Sequence, residues 1–450
     1  MMIHLRKSLL AVAVLLSLAA CAPGPAAPAA DQQLGPVSKD VGTEPITLTV
    51  WDQNTDTGIN DAQEQLNAAF HAKYPNVTIN RVTRSFGDLK TTLKLALSSD
   101  EPPDVVQANQ GYPDMGAFVK AGYLRPMNDY ADLYGWTGYY PASLLDLNSF
   151  SPDGKTWQGD NLYGVSQTGE LVGLYYNKAV LAKAGVTTPP TTVAELTDAM
   201  AKVKAAGALP LSYGDVEKSP GIHLYGFLLT ALAGQPAVND LITSTNGAWT
   251  DAQQVQAAQT ITDWVSQGYV TPGANGVSRD QAVASFGNGE AAFLITGTWY
   301  QATLEAAAAA KDIGFTALVP NGAPMQQTMG GEGLAWALTT KTKHPDAAAA
   351  YVDFITDEQA AQALVKTGNL PAVVPADPAP APGTLAADIS GAYKAISQAN
   401  GISPYLDYAT PTFYDTITAA VQDLVGGRQS PQQFTQTLQD DYAAFGASGR

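Results

Sequence analysis

Three apolar runs of this chain end alike, in an aromatic ring beside a cluster of polar groups. Trp51 is followed by Asp52-Gln53-Asn54, with Asp56 just beyond. Val105-Val106 leads into Gln107-Ala108-Asn109-Gln110-Gly111-Tyr112, and Ile295-Thr296 into Gly297-Thr298-Trp299-Tyr300. Amide side chains donate and accept hydrogen bonds, whereas carboxylates only accept. Such groups around a flat ring suit a sugar, whose C–H face stacks on the ring while its hydroxyls need donors and acceptors together. The same residue types also finish turns and fill cores, and each segment taken singly reads that way. Familiar catalytic signatures are missing: there is no G-x-S-x-G elbow, no H-E-x-x-H pair, no P-loop and no dinucleotide fingerprint. Asp52-x-Asn54-x-Asp56-x-Gly58 matches a calcium loop poorly, since its glycine comes one position late and Gln63 stands where the closing Glu belongs. One cysteine and four scattered histidines exclude a His/Cys metal cluster, so neither a metal nor a cofactor is expected.

The elements that must carry these groups alternate in type. Ile46–Trp51 and Val77–Val82 read as strands, Asp61–Lys73 and Asp88–Leu97 as helices, and Pro103–Val106 begins a third strand. This is the signature of an α/β fold with a parallel sheet and crossover helices. A second region repeats it. Leu171–Tyr176 is a strand, Thr192-Val-Ala-Glu195 a capping box opening a helix to Gly207, and Pro210–Tyr213 a strand. Thr250–Gln267 is a helix, a further helix ends at Gly287, and Ala291–Thr296 is a strand. A strand at Leu334–Leu338, two helices, a proline-rich stretch and three terminal helices follow, the last capped by Ser430-Pro431. In open α/β sheets, ligands bind outside the carboxyl ends of the strands, where the aromatic–polar clusters fall.

The formal charge of −17 argues against nucleic acid as a partner, since that affinity comes largely from Lys and Arg neutralising phosphates. At the N-terminus, Arg6 and Lys7 precede an apolar run from Leu9 to Ala20, which describes an export signal over residues 1–20. Leu18-Ala19-Ala20-Cys21 resembles the lipobox of bacterial lipoproteins, which implies cleavage before Cys21 and a lipid on that residue. Residues 21–45, rich in Pro and Ala, then read as a tether from the outer face of a membrane.

From Ile46 onward the chain resembles the extracellular solute-binding proteins of ABC importers, in the sugar-binding family that includes maltose-binding protein. Four segments carry the resemblance: Leu66–Phe70 with Tyr74-Pro75-Asn76-Val77; Pro102–Val106 with Ala121–Leu124; Gly173–Lys178 with Ala184-Gly185-Val186 and Pro189–Thr192; and Phe286–Glu290 with Ile295–Trp299. It implies two α/β lobes with the ligand in the cleft between them, expected as residues 46–167 with 328–368 and residues 168–327 with 369–450. Trp299 matches a platform under a sugar ring, and Tyr414 a second one. Glu170 matches a carboxylate that receives sugar hydroxyls, although the preceding loop is one residue longer here. Gln53 and Asp56 match polar contacts, as do Asn109 and Gln110. At that last loop the maltose binder carries an aromatic and an Asp, where this chain has Ala108 and Gly111, which argues against maltodextrin. Gly331 and Glu332 precede a crossing strand where backbone and side chain meet ligand, and Asp407 is a further contact. His223 and Tyr225 are not assigned to the site.

The expected function is capture of a mono- or oligosaccharide for a membrane permease, by a lipid-anchored monomer with no catalytic residues. Two alternatives remain. A glycoside hydrolase would use the same residue types, with its two carboxyls about 5 or 6.5–9.5 Å apart. The same scaffold could take a non-sugar solute: a phosphate ester would require Arg or Lys, absent from the candidate loops, and a polyamine several carboxylates around aromatic rings.

Overall fold

The computed structural model describes residues 35–243, 247–377 and 379–447. The leader and Cys21 lie outside these residues.

Eleven strands among the described residues build two mixed sheets. In chain order they are Ile46–Asp52 (β1), Val77–Thr83 (β2), Val105–Ala108 (β3), Val165–Ser166 (β4), Gly169–Asn177 (β5) and Leu209–Ser212 (β6). Ala291–Gly297 (β7), Ile313–Thr316 (β8), Thr328–Glu332 (β9), Ala335–Leu338 (β10) and Ile402–Ser403 (β11) follow. Ser149–Phe150 and Asn161–Leu162 form a separate two-stranded ribbon. The first sheet has the order β2-β1-β3-β10-β4, and the second β11-β9-β5-β7-β6 with β8 also pairing β5. β1, β2 and β3 are parallel, as the helices Thr57–Lys73 and Phe86–Ser98 between them require. Strand direction reverses where the chain changes sheets, so neither sheet is parallel throughout. β10 arrives from the second sheet and runs antiparallel to β3 and β4, and β5 runs antiparallel to β7, β8 and β9. The central strands β3 and β7 are buried throughout, which is why they read as unbroken apolar runs.

Among the described residues the chain passes between the sheets three times. β4 and β5 are separated by Gln167 and Thr168, and β9 and β10 by Gly333 and Leu334. The third passage follows the helix Glu358–Lys366, where Gly169 N donates to Leu370 O and Thr168 bridges Pro371. Residues 328–332 therefore belong to the second sheet, and the middle crossing comes five residues later than the expected boundary at 328. Helices cover both sheets. The terminal pair Phe413–Val425 and Pro431–Ala447 packs with Pro220–Ala233 and Ala252–Ser266 beside the second sheet.

Three local expectations change. The helix expected from Asp61 begins at Thr57, with Asp56 in the extended conformation as its N-cap. Thr192 does cap its helix, but the Glu195 carboxylate accepts from Thr191 N and Oγ1, so the box is only half formed. Ser430 and Gln433 do make the reciprocal pair: Gln433 N donates to Ser430 Oγ at 3.2 Å and Ser430 N to Gln433 Oε1 at 2.9 Å. The tether expected to reach residue 45 ends sooner. Val37 and Val41 pack against the core, Ser38 N donates to Asp346 Oδ1, and the Lys39 ammonium sits 4.9 Å from the centre of the Tyr134 ring.

Candidate functional site

A cavity of about 160 Å³ lies where the chain crosses between the sheets, and Thr168, Leu334, Asn369 and Leu370 of the three crossings form its base. One wall comes from the ends of β1 and β3. Asp52 is fully buried and accepts two hydrogen bonds from Arg81, at 2.6 Å from Nε and 2.9 Å from Nη2. Arg81 also donates to Asn54 O and Asn60 Oδ1, so this buried ion pair shapes the 52–56 loop rather than a calcium site. Gln107 holds the loop from the neighbouring strand, accepting from Gln53 N at 2.8 Å and donating to Asn54 Oδ1 at 3.2 Å. Gln53 and Asp56 are thereby set on the cavity wall. Burial raises the Asp56 carboxyl above its ordinary value, with the Arg279 guanidinium pulling the other way. Asn109 also faces the cavity and donates to Asp114 Oδ2, which Lys90 Nζ approaches at 2.5 Å.

The opposite wall is aromatic. β7 ends at Gly297, and a 3₁₀ turn then presents Trp299. A Cβ on Gly297 would overlap the indole, so only glycine lets the ring fold back across the strand end. The indole lies 5.1 Å from the His223 ring, which in turn lies 6.1 Å from Tyr405. Burial, helped by Arg279, holds the His223 pKa down at about 3, so this imidazole is neutral near pH 7. Tyr405 Oη donates to Glu170 Oε2 at 2.8 Å. Burial pushes Glu170 up to about 7 despite that bond, and pushes Asp407 up to about 6 against the pull of Lys90. Tyr414 lines the rim, edge-on to Phe86 at 6.3 Å, with Lys90 Nζ 4.2 Å from its ring centre.

Eight of the ten expected contacts thus border one cavity: Gln53, Asp56, Asn109, Glu170, Trp299, Glu332, Asp407 and Tyr414. Gln110 and Gly331 do not. Gln110 is buried behind the wall, where Nε2 donates to Gly333 O at 2.8 Å and Asn148 Oδ1 at 3.1 Å, and Oε1 accepts from Tyr408 Oη at 3.1 Å. It braces the middle crossing and joins it to the opposite lobe. Gly331, at φ 127°, turns its carbonyl to Tyr393 Oη. Tyr225 points away, its hydroxyl donating to Gln254 O.

Tyr405, Tyr408 and Arg279 also line the cavity without having been expected there, as does His223, which was considered for the cleft but not assigned to the site. Tyr405 and Tyr408 flank the one candidate recognised in their segment, Asp407. Arg279 is the substantive addition, since the candidate loops hold no Arg or Lys and this residue comes from outside them. It follows Ser278, the N-cap of a helix with a full capping box, and reads in sequence as an ordinary first-turn residue. Its Nε is buried with no hydrogen-bond partner among the described residues.

Against known proteins, a family model described as bacterial extracellular solute-binding protein matches residues 54–362. An uncharacterised ABC transporter extracellular-binding protein of Pyrococcus horikoshii is 26% identical over 332 residues, 71% of this chain and 70% of that one. The multiple sugar-binding protein of Streptococcus mutans is 23% identical over 317 residues, 68% and 70% of the two chains. A solved chitin oligosaccharide binding protein superposes with a TM-score of 0.78 at 23% identity, covering 90% of this chain and 99% of that one, and so shares the fold. The protein belongs to the bacterial extracellular solute-binding proteins, a family of two-lobed α/β receptors rather than enzymes. No described helix is long and apolar enough to cross a membrane.

Proposed function

We propose that this receptor captures a sugar, mono- or oligosaccharide, and delivers it to the transmembrane subunits of an ABC importer. The observation that carries this reading is the composition of the cavity at the crossings. Indole and phenol rings share one wall with the Glu170 and Asp407 carboxyls and face the Gln53, Asn109 and Asp56 side chains on the other, which brings together the groups that a sugar's C–H face and hydroxyls require. The two lobes, one around each sheet, would close over the ligand by bending at the three crossings. Ligand contact to both walls supplies the differential affinity that drives closure. On this reading Cys21 carries the lipid after removal of residues 1–20, and the segment up to Val37 gives reach. Tethering keeps the receptor, acting as a monomer, at high effective concentration beside the permease.

Calorimetry of the exported protein against mono- to tetrasaccharides tests the reading. Saturable binding without turnover supports it. Release of shortened sugars would reveal a hydrolase, and binding of a non-sugar solute alone would remove carbohydrate as the ligand. If Cys21→Ala frees an active binder into the medium, the anchor stands; retention in the membrane fraction would overturn it.

A further inference from the structure

The carboxyl groups of the cavity outnumber what a neutral ligand needs. Asp56, Glu170, Glu332 and Asp407 all line it, and Arg279 is the one guanidinium among its described lining residues. Glu332 is 2% exposed, and Asn148, Ser166 and Gln110 all favour its ionised form against burial. Asn148 Nδ2 donates to Oε1 at 2.5 Å, while Oε2 is buried with no partner among the described residues. Glu170 stands on the adjacent strand, where Gly169 pairs with Glu332, and its charge acts on Glu332. Two carboxyls on neighbouring strands therefore reach one cavity lined by aromatic rings, and among the described residues no cation is hydrogen-bonded to either.

We infer, on the reading that this cavity is the solute site, that the ligand carries a protonated amine, as an amino sugar does, seated beside Glu170 and Glu332. A hydroxyl would give Glu332 Oε2 a donor but no counter-charge against which the buried carboxyls could ionise. An ammonium supplies both, through charge-assisted hydrogen bonds about twice as strong as neutral ones. Its carbon frame can lie on the Trp299 and Tyr405 rings, whose faces also attract a cation. A phosphorylated or uronic sugar has one guanidinium to meet and four carboxyls to oppose it. Burial raises both glutamates, Glu170 to about 7 and Glu332 well above its ordinary value, so the empty cavity holds protons that an arriving ammonium would expel.

An amino sugar and an aliphatic polyamine share this chemistry, and calorimetry with matched probes separates them. Glucosamine and its β-1,4 oligomers are compared with the N-acetylated and the glucose series, with spermidine as a third arm, each in two buffers of different ionisation enthalpy. The expected result is that the amino series binds roughly tenfold to hundredfold more tightly than the neutral ones, with proton release near pH 7. Glu332→Gln and, independently, Glu170→Gln should each bring the ratio of amino to neutral affinity towards one. Equal or tighter binding of the neutral series by the unaltered protein overturns this inference while leaving sugar capture intact. Binding of spermidine but of no sugar supports the ammonium site and overturns the carbohydrate reading. Failure of every probe to bind overturns this inference and leaves sugar capture to the wider saccharide screen.

Discussion

Replacing Tyr408 by Phe removes one oxygen and should loosen the closed receptor. Tyr408 belongs to the 3₁₀ turn Leu406–Ala409 beyond β11, whereas Gln110 follows β3 in the other lobe. Tyr408 Oη donates to Gln110 Oε1 at 3.1 Å, and the two residues are 3% and 1% exposed. The Gln110 amide nitrogen is already committed to Gly333 O and Asn148 Oδ1, so the side chain cannot turn over without losing those bonds. In the variant, Gln110 Oε1 stays buried without its donor, at a cost of about 1–3 kcal/mol. Where parting of the lobes breaks this contact, water reaches that oxygen, so the cost falls on the form that makes the bond. Because the ligand is held by the closed form, apparent affinity should fall by roughly 5- to 150-fold, at about 1.4 kcal/mol per factor of ten. Calorimetry measures the affinity, and small-angle scattering at sub-saturating ligand should report a larger mean radius of gyration. A folded Tyr408→Phe protein with unchanged affinity and unchanged scattering would refute the argument that this bond holds the lobes together.

Other outcomes follow from the same geometry. Trp299→Ala removes a ring face of roughly 80 Å², worth about 2 kcal/mol at about 25 cal/mol per Å², so affinity for the sugar should drop about thirtyfold. Unchanged affinity in calorimetry would remove the platform role. Arg81→Ala leaves Asp52 buried and unpaired, and urea unfolding should register a loss of about 3–5 kcal/mol. The ligand-free protein should also lose stability as pH rises. Glu170 titrates at about 7 and Asp407 at about 6 in the folded chain, each above its ordinary value. The folded form therefore holds protons that the unfolded chain has released, and the stability they confer is fullest below about pH 4 and fades through about pH 6 to 7. The melting temperature should fall between about pH 5 and pH 8, less steeply in Glu170→Gln, and a flat profile would contradict the burial of these groups.

Much of the fold was legible because local physics and tertiary packing agree. The helix Phe86–Ser98 buries Leu89, Leu93 and Leu97, the stripe that its four-residue spacing announces. β7 is buried on both faces and reads as an apolar run. The positions of Trp299, Glu170 and Asp56 were likewise readable, since each sits at the start or end of a strand or at the start of a helix and the family pattern marks it there. Arg279 was not, because a first-turn arginine after a capping serine carries no mark of which way its side chain turns. Gln110 was read as a ligand contact, since composition cannot tell an amide facing a cavity from one facing a crossing strand.

The sequence by itself determined the alternation of strands and helices, the absence of metal-binding and catalytic signatures, and the strand ends that bear aromatic and polar groups. These rest on periodicity, capping and residue type, which act over a few neighbours along the chain. The tertiary structure alone decided which way β10 runs in its sheet, where the chain crosses, and how many carboxyls meet one guanidinium. Those are relations between residues as far apart as Glu170 and Tyr405, joined at 2.8 Å only because three crossings fold two lobes onto a shared cavity. The charge balance of that cavity is therefore a property of the assembled walls, and no one segment contains it.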